Sequence, residues 1–198
     1  MFRQEITKEE INELPLRRYE GKIVVTTDED QHARALEEIA QHPVVGFDTE
    51  ARPSFKRGVR YDVSLVQLAV PNKTFLLRLN HSGFTPKLNR FFADERIEKV
   101  GISLKDDLRH LAILSEKQGL NFDPQNILDL NDTAKAMGIP HMGVKKLTAI
   151  FLDFRVSKSQ QTSNWENPQL TEKQLRYAAT DAWVCLEIYE QLSELGHL

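Results

Sequence analysis

Apolar and polar positions along the chain switch between two periods, and the switches mark the elements. Lys22 to Thr27 (KIVVTT) reads as a strand, and a helix over about Glu29 to Gln41 follows with Ala33, Leu36 and Ile39 at helical spacing. Pro43 to Glu50 is a short apolar strand that ends in acids. Val63 to Val70 and Thr74 to Leu79 are two more strands, joined through Pro71-Asn72-Lys73 at hairpin-like spacing. Beyond them the pattern predicts a helix over Pro86 to Phe92, a strand over Lys99 to Ile102, a helix over Leu104 to Leu114 and a short buried strand over Ile127 to Leu130. The last third is helical, with Gly143 to Leu152 as one helix and Thr171 to Leu195 as another. Thr171 with Gln174 forms a capping box at the start of the final helix, Leu170 with Leu175 a hydrophobic staple, and Gly196 ends it. The charged first twenty residues read as a short helical arm. We therefore expect an arm over 1–21 and one α/β domain over 22–198. Three strands followed by helix-strand alternation predict a mixed sheet of about five strands with helices on both faces.

Composition narrows the function classes. A length of 198 residues suffices for one well-buried core. The net charge of −3 argues against a protein that coats duplex DNA by bulk electrostatics, so any nucleic acid contact is local. The charged start and the lack of an apolar run near the roughly 20 residues of a bilayer span lead us to expect a soluble, cytoplasmic protein with no membrane partner. A single cysteine, Cys185, leaves no internal disulfide and no CxxC pattern, which excludes zinc held through thiolates and fits a reducing compartment.

The acids carry the candidate chemistry. Asp48 and Glu50 are two apart on a predicted strand, so both side chains leave the same face of the sheet. Tyr177 and Asp181 are four apart on the final helix and share one side of it. Asp106 and Asp107 open the helix after the Lys99 to Ile102 strand, where loops of α/β sheets gather functional groups. On a helix from Leu104, Asp107 shares its face with Leu111 and Leu114 and points inward, whereas Asp106 keeps company with Arg109 and His110. Carboxylates converging on one cleft repel one another unless cations neutralise them, and oxygen-only ligands select Mg²⁺ or Mn²⁺. Two such ions could clamp a scissile phosphate.

FDTE at 47–50, VGISLKDDLRHL at 100–111 and YAATD at 177–181 resemble the three motifs of the DEDDy group of DnaQ-like 3′-to-5′ exonucleases. The resemblance runs from about Lys22 to Leu192, extends to VSLVQLAV, GVKKL and SNWENPQLTEKQLRYAATDA, and is nearest to the Werner-type exonuclease domains. It implies an RNase H-like fold with sheet order 3-2-1-4-5 and strand 2 antiparallel. It also implies hydrolysis from a 3′ end that releases nucleoside 5′-monophosphates, with DNA favoured over RNA. Asp48, Glu50, Asp107 and Asp181 would then be the metal ligands, and Tyr177 would orient the attacking water. The partner would be a nucleic acid with a single-stranded or recessed 3′ end. Oligomeric state is not readable from the sequence.

Lys56, Arg57 and Arg60, in the loop after the first motif, could meet phosphates or be solvated loop charges. Lys145, Lys146 and Lys158 have the same two readings, and Trp165 either stacks on a base or fills the core. The competing function on the same fold is a catalytically inactive nucleic-acid-binding or adaptor module. Retention of all four acids and the tyrosine speaks against it.

Overall fold

A computed structural model describes residues 2–56 and 58–198. The backbone of strand β2 (Val44–Ala51) lies near the middle of a six-stranded mixed sheet. It pairs antiparallel with β3 (Val63–Val70), and β3 pairs antiparallel with β4 (Lys73–Arg78) across a two-residue turn in which Asn72 has φ 62°. On its other side β2 runs parallel to β5 (Glu98–Gly101), which is parallel to β6 (Ile127–Asp129). The five strands thus stand in the expected order with β3 reversed.

One correction concerns the strand count. The segment read as an isolated strand, β1 (Lys22–Thr26), joins the edge of the sheet parallel to β4, from Lys22 opposite Lys73 to Thr26 opposite Leu77, and makes the sheet six-stranded. Local periodicity reports that a segment is extended but not which edge it will find, because its partner is about fifty residues away in sequence.

Two layers of helix cover the sheet. On one face lie α2 (Glu29–Ile39), the short α3 (Leu79–Ser82), α4 (Pro86–Phe92) and α5 (Lys105–Lys117). Their Leu36, Ile39, Leu88, Phe92 and Leu111 pack against Phe47, Val66, Leu68 and Phe75. On the other face α7 (Val144–Leu152) and α8 (Glu172–Glu194) pack over Val100, Leu65 and Leu76. A further helix, α6 (Leu130–Ala136), was not anticipated: Asp129 ends β6 one residue early and accepts a hydrogen bond from Asn131 N at 3.0 Å as the N-cap of α6. The opening residues form α1 (Lys8–Glu13), whose Thr7 and Glu10 make a capping box, and Ile6 and Ile11 bury themselves against the α7 and α8 layer. The expected capping box of α8 is present, with Thr171 and Gln174 each bonding the other's backbone. No helix among the described residues is long and apolar enough to cross a membrane.

Candidate active site

Gly46 decides how close α8 comes to the sheet. A Cβ there would lie 2.2 Å from the carbonyl oxygen of Ala182, so only glycine admits this approach of backbone to backbone. Gly46, Asp48 and Glu50 alternate onto the α8 side of β2, and Ala178, Ala179 and Ala182 supply a small-residue face on α8. Asp181 is consequently pressed against the two strand acids. One carboxylate oxygen from each of Asp48, Glu50 and Asp181 lies within 4.8 Å of the other two.

Pairing between β2 and β5 stops at Gly46 and Val100, so β2 continues past its neighbour with one edge open. The cleft opens there, at the carboxyl ends of β5 and β6, where α/β sheets commonly bind ligands. The cavity is roughly 280 Å³ and is lined by Asp48, Glu50, Ser103, Lys158, Tyr177 and Asp181, among others.

Motif two enters from the open edge. Gly101 permits the close turn, since a Cβ at that position would meet Leu104 at 2.3 Å and the Phe47 carbonyl at 2.7 Å. Ser103 takes φ 64°, and the Asp129 carboxylate holds the turn by accepting hydrogen bonds from Ser103 N and Leu104 N, both at 2.9 Å. From this start α5 buries Leu111 and Leu114 and half-buries Asp107, which accepts a hydrogen bond from the hydroxyl of Thr49. Asp106 stays exposed and pairs with Arg109 at 3.0 Å. Asp107 therefore turns toward β2 and Asp106 does not. Asp107 stands outside the close group of three carboxylates, held at its edge by Thr49.

The electrostatics of the cluster are those of like charges taken out of water. Burial first, then the neighbouring Asp107 and Asp181, push Asp48 well above the usual carboxylate range. Burial and then Asp48 push Glu50 up to about 10. Asp181 is raised by burial to about 7, and a hydrogen bond from Tyr177 and the charge of Lys158 hold it from rising further. Burial and the adjacent acids also raise Tyr177, so its phenol remains protonated at neutral pH. Three acids this close and this poorly solvated call for cations. The donor set is oxygen alone, and so fits hard divalent ions better than zinc.

The sequence profile of the 3′-5′ exonuclease family matches residues 23–196. The chain belongs to that family. It is of the DEDDy type, with an RNase H-like fold, and it spans 39% or less of the length of most of the curated relatives that it matches. The mouse bifunctional 3′-5′ exonuclease/ATP-dependent helicase WRN is 30% identical over 193 residues, which cover 92% of this chain and 13% of that protein. Among solved structures, the EXO domain of Nibbler from Aedes aegypti superposes with a TM-score of 0.78 at 24% identity, covering 91% of this chain and 93% of that one. RNase D of Escherichia coli, an exoribonuclease involved in structured RNA processing, superposes with a TM-score of 0.74 at 23% identity, covering 91% and 47%. The family implies divalent metal ions, and an acidic cluster that could hold them is present in this chain.

The expected contact residues are spread over several places. Lys158 lines the acid-lined cavity, whereas Lys146 lines a separate one with Glu5 and Glu10, and Lys145 is half-buried in the first turn of α7. Lys56 and Arg60 are exposed on the loop after β2, and Arg57 lies outside the described residues. Trp165 needs correction as a stacking platform: it is fully buried against Leu65, Leu76 and Ala178, and no ring face is left for a base. Thr49, Asp129 and Gln161 were missed. Asp129 had a readable signal, an acid at the end of a buried strand with a helix starting behind it. Thr49 had none, since its role depends on α5 coming to the open edge of β2.

Proposed function

We propose that this exonuclease hydrolyses the terminal phosphodiester at a 3′ end by a two-metal-ion route and releases nucleoside 5′-monophosphates. The observation that carries this reading is the meeting of Asp48, Glu50 and Asp181 within 4.8 Å in a cleft open to solvent. These three would hold the ions, Mg²⁺ or Mn²⁺, and Asp107 would complete the set from the edge. Bound there, two ions would neutralise the acids, activate a water and stabilise the leaving oxygen. Tyr177, protonated and hydrogen-bonded to Asp181, positions that water by donating or accepting a hydrogen bond and does not act as its base. The water oxygen adds to phosphorus, the bond from phosphorus to the 3′-oxygen of the shortened strand breaks, and that oxygen gains the proton.

The catalytic unit would comprise residues 22–198, with 1–21 as an arm on the α7 and α8 side. We favour DNA over RNA, as the resemblance of the motifs to Werner-type exonuclease domains implies, and an intracellular setting in which the single thiol of Cys185 stays reduced. Lys56, Arg57, Arg60 and Lys158 would meet the backbone phosphates. The test is digestion of end-labelled single-stranded DNA, matched RNA and recessed duplex with Mg²⁺, Mn²⁺ or EDTA. A ladder shortening from the 3′ end, monophosphate products, faster loss of DNA and no reaction in EDTA are expected. Faster loss of RNA would reverse the sugar assignment, and full activity in EDTA would remove the metal route.

A further inference from the structure

Strand β3 is buried along its whole length, and one of its side chains is out of keeping with the rest. Gln67 is fully buried, yet neither its amide nitrogen nor its amide oxygen has a hydrogen-bond partner among the described residues. A primary amide taken out of water without a partner is costly, and buried polar groups are nearly always paired. An apolar side chain of similar shape would serve the core better at this position. Packing alone gives no reason for glutamine here.

The register of the sheet places one acid beside it. Gln67 stands directly opposite Asp48 across the antiparallel pair of β3 and β2, and opposite Leu76 on β4. Residues directly opposite one another share a face of the sheet, with Cβ atoms about 4.5–5.5 Å apart. Gln67 therefore lies on the α8 side, in the row that runs from Asp48 to Leu76. Its same-face neighbours along β3 are Leu65 and Ala69. Of these four, Asp48 alone is polar. Above them Ala178 of α8 packs with Leu65 and Leu76 and brings no polar side chain. The polar residues on the diagonals, Glu50, Thr74 and Arg78, stand further off, at about 7–8 Å.

We infer that Gln67 is a positioning residue for Asp48: its side-chain amide donates a hydrogen bond to the Asp48 carboxylate and fixes the orientation in which that carboxylate meets a divalent cation. The inference rests on the metal reading above. An ionised carboxylate only accepts hydrogen bonds and has about four lone-pair sites, so a bound cation leaves others in want of a donor. Donors that hold ligating carboxylates in this way carry much of the affinity of a metal site. Asp107 has such a donor in the hydroxyl of Thr49, and Asp181 has one in Tyr177. For Asp48 the side-chain donor at hand is Gln67. Burial of the amide, unfavourable in the metal-free fold, is offset once that bond forms.

The test separates this role from a packing role. Methionine has the length of glutamine without its amide, and leucine provides a second apolar variant. In EDTA, Gln67→Met and Gln67→Leu should melt at or above the wild-type temperature, because each removes an unpaired buried amide. Calorimetric titration of the full chain with Mn²⁺ should nevertheless give a Kd about 10- to 100-fold higher in both. In ¹⁵N-labelled protein the side-chain amide pair missing from Gln67→Met identifies Gln67, and saturating Mg²⁺ should move that pair downfield in wild type, as a bond to a carboxylate requires. Wild-type Mn²⁺ affinity in either variant overturns the role of Gln67 and leaves the metal reading intact. A Gln67 signal that does not move with Mg²⁺ overturns it too. So does a lower melting temperature of both variants in EDTA, which would mean that the amide already serves the metal-free fold. Wild type that binds neither ion removes the metal reading, and the role of Gln67 falls with it.

Discussion

The acid-lined cleft and the loop after β2 differ in charge and in mechanics. In the cleft, Asp48, Glu50 and Asp181 carry like charges on β2 and α8, two elements locked together by the close approach of Gly46 to Ala182. At the rim, Phe55, Lys56 and Arg60 stand in water on an irregular segment. Repelling groups can be held together only by packing that outweighs the repulsion, and regular elements supply it. A rim that attracts its ligand needs no such scaffold, and a loop is adequate. The difference teaches where sensitivity should lie: in the cleft, each group acts on the barrier, whereas at the rim each cation adds a small, screened share of binding.

The largest effect should come from the cleft. Asp181→Ala removes a proposed metal ligand, and if transition-state stabilisation of about 4 kcal/mol is lost, turnover falls about a thousandfold while the protein stays folded. Lys56→Ala, measured beside it, should change KM by no more than a few fold, with the difference shrinking as salt rises. Comparable losses in the two variants would erase the contrast between cleft and rim.

A smaller but sharper effect separates two neighbours on α5. Asp107→Asn should lower kcat about a hundredfold or more, because its carboxylate turns to Thr49 and the cleft. Asp106→Asn should stay within about twofold, since it loses only a surface pair with Arg109. Steady-state kinetics on one oligonucleotide compares them. The reverse ranking would move the second motif's ligand to Asp106 and require α5 to turn about its axis.

The smallest effect is on stability. In the metal-free fold Asp181 is raised by burial from 3.8 to about 7. Between those values the folded chain holds a proton that the unfolded chain has released, so the contribution of this group to stability is present at low pH and is lost as pH rises through about 7. Urea melts in EDTA should find Asp181→Asn level with wild type near pH 4 and more stable near pH 8, by on the order of 2–4 kcal/mol. Mg²⁺ or Mn²⁺ at pH 8 should stabilise wild type more than the variant. A stability gap that does not change with pH would mean that Asp181 is not short of compensation.

Much of this site was legible before any coordinates. Spacing of two on a strand put Asp48 and Glu50 on one face, spacing of four put Tyr177 beside Asp181, and the helical stripe of Leu111 and Leu114 chose Asp107 over Asp106 for the inward position. These are short-range properties, set by the strand and helix repeats themselves. The capping box at Thr171 was legible for the same reason.

Other features needed the chain to be assembled. Lys158 and Lys146 are both lysines near α7, yet one faces Asp181 and the other Glu5 and Glu10, and nothing local to either distinguishes them. Trp165 was open between core and base, and was decided when α8 and β3 closed over it. The edge position of β1, the hold of Thr49 on Asp107, and the double use of Asp129 by the turn before α5 and the cap of α6 all join residues far apart in sequence. The sequence by itself determined which side chains share a face. Which faces meet was decided by tertiary packing, because a repeat of two or 3.6 residues sets direction around an element and carries no information about what lies opposite it.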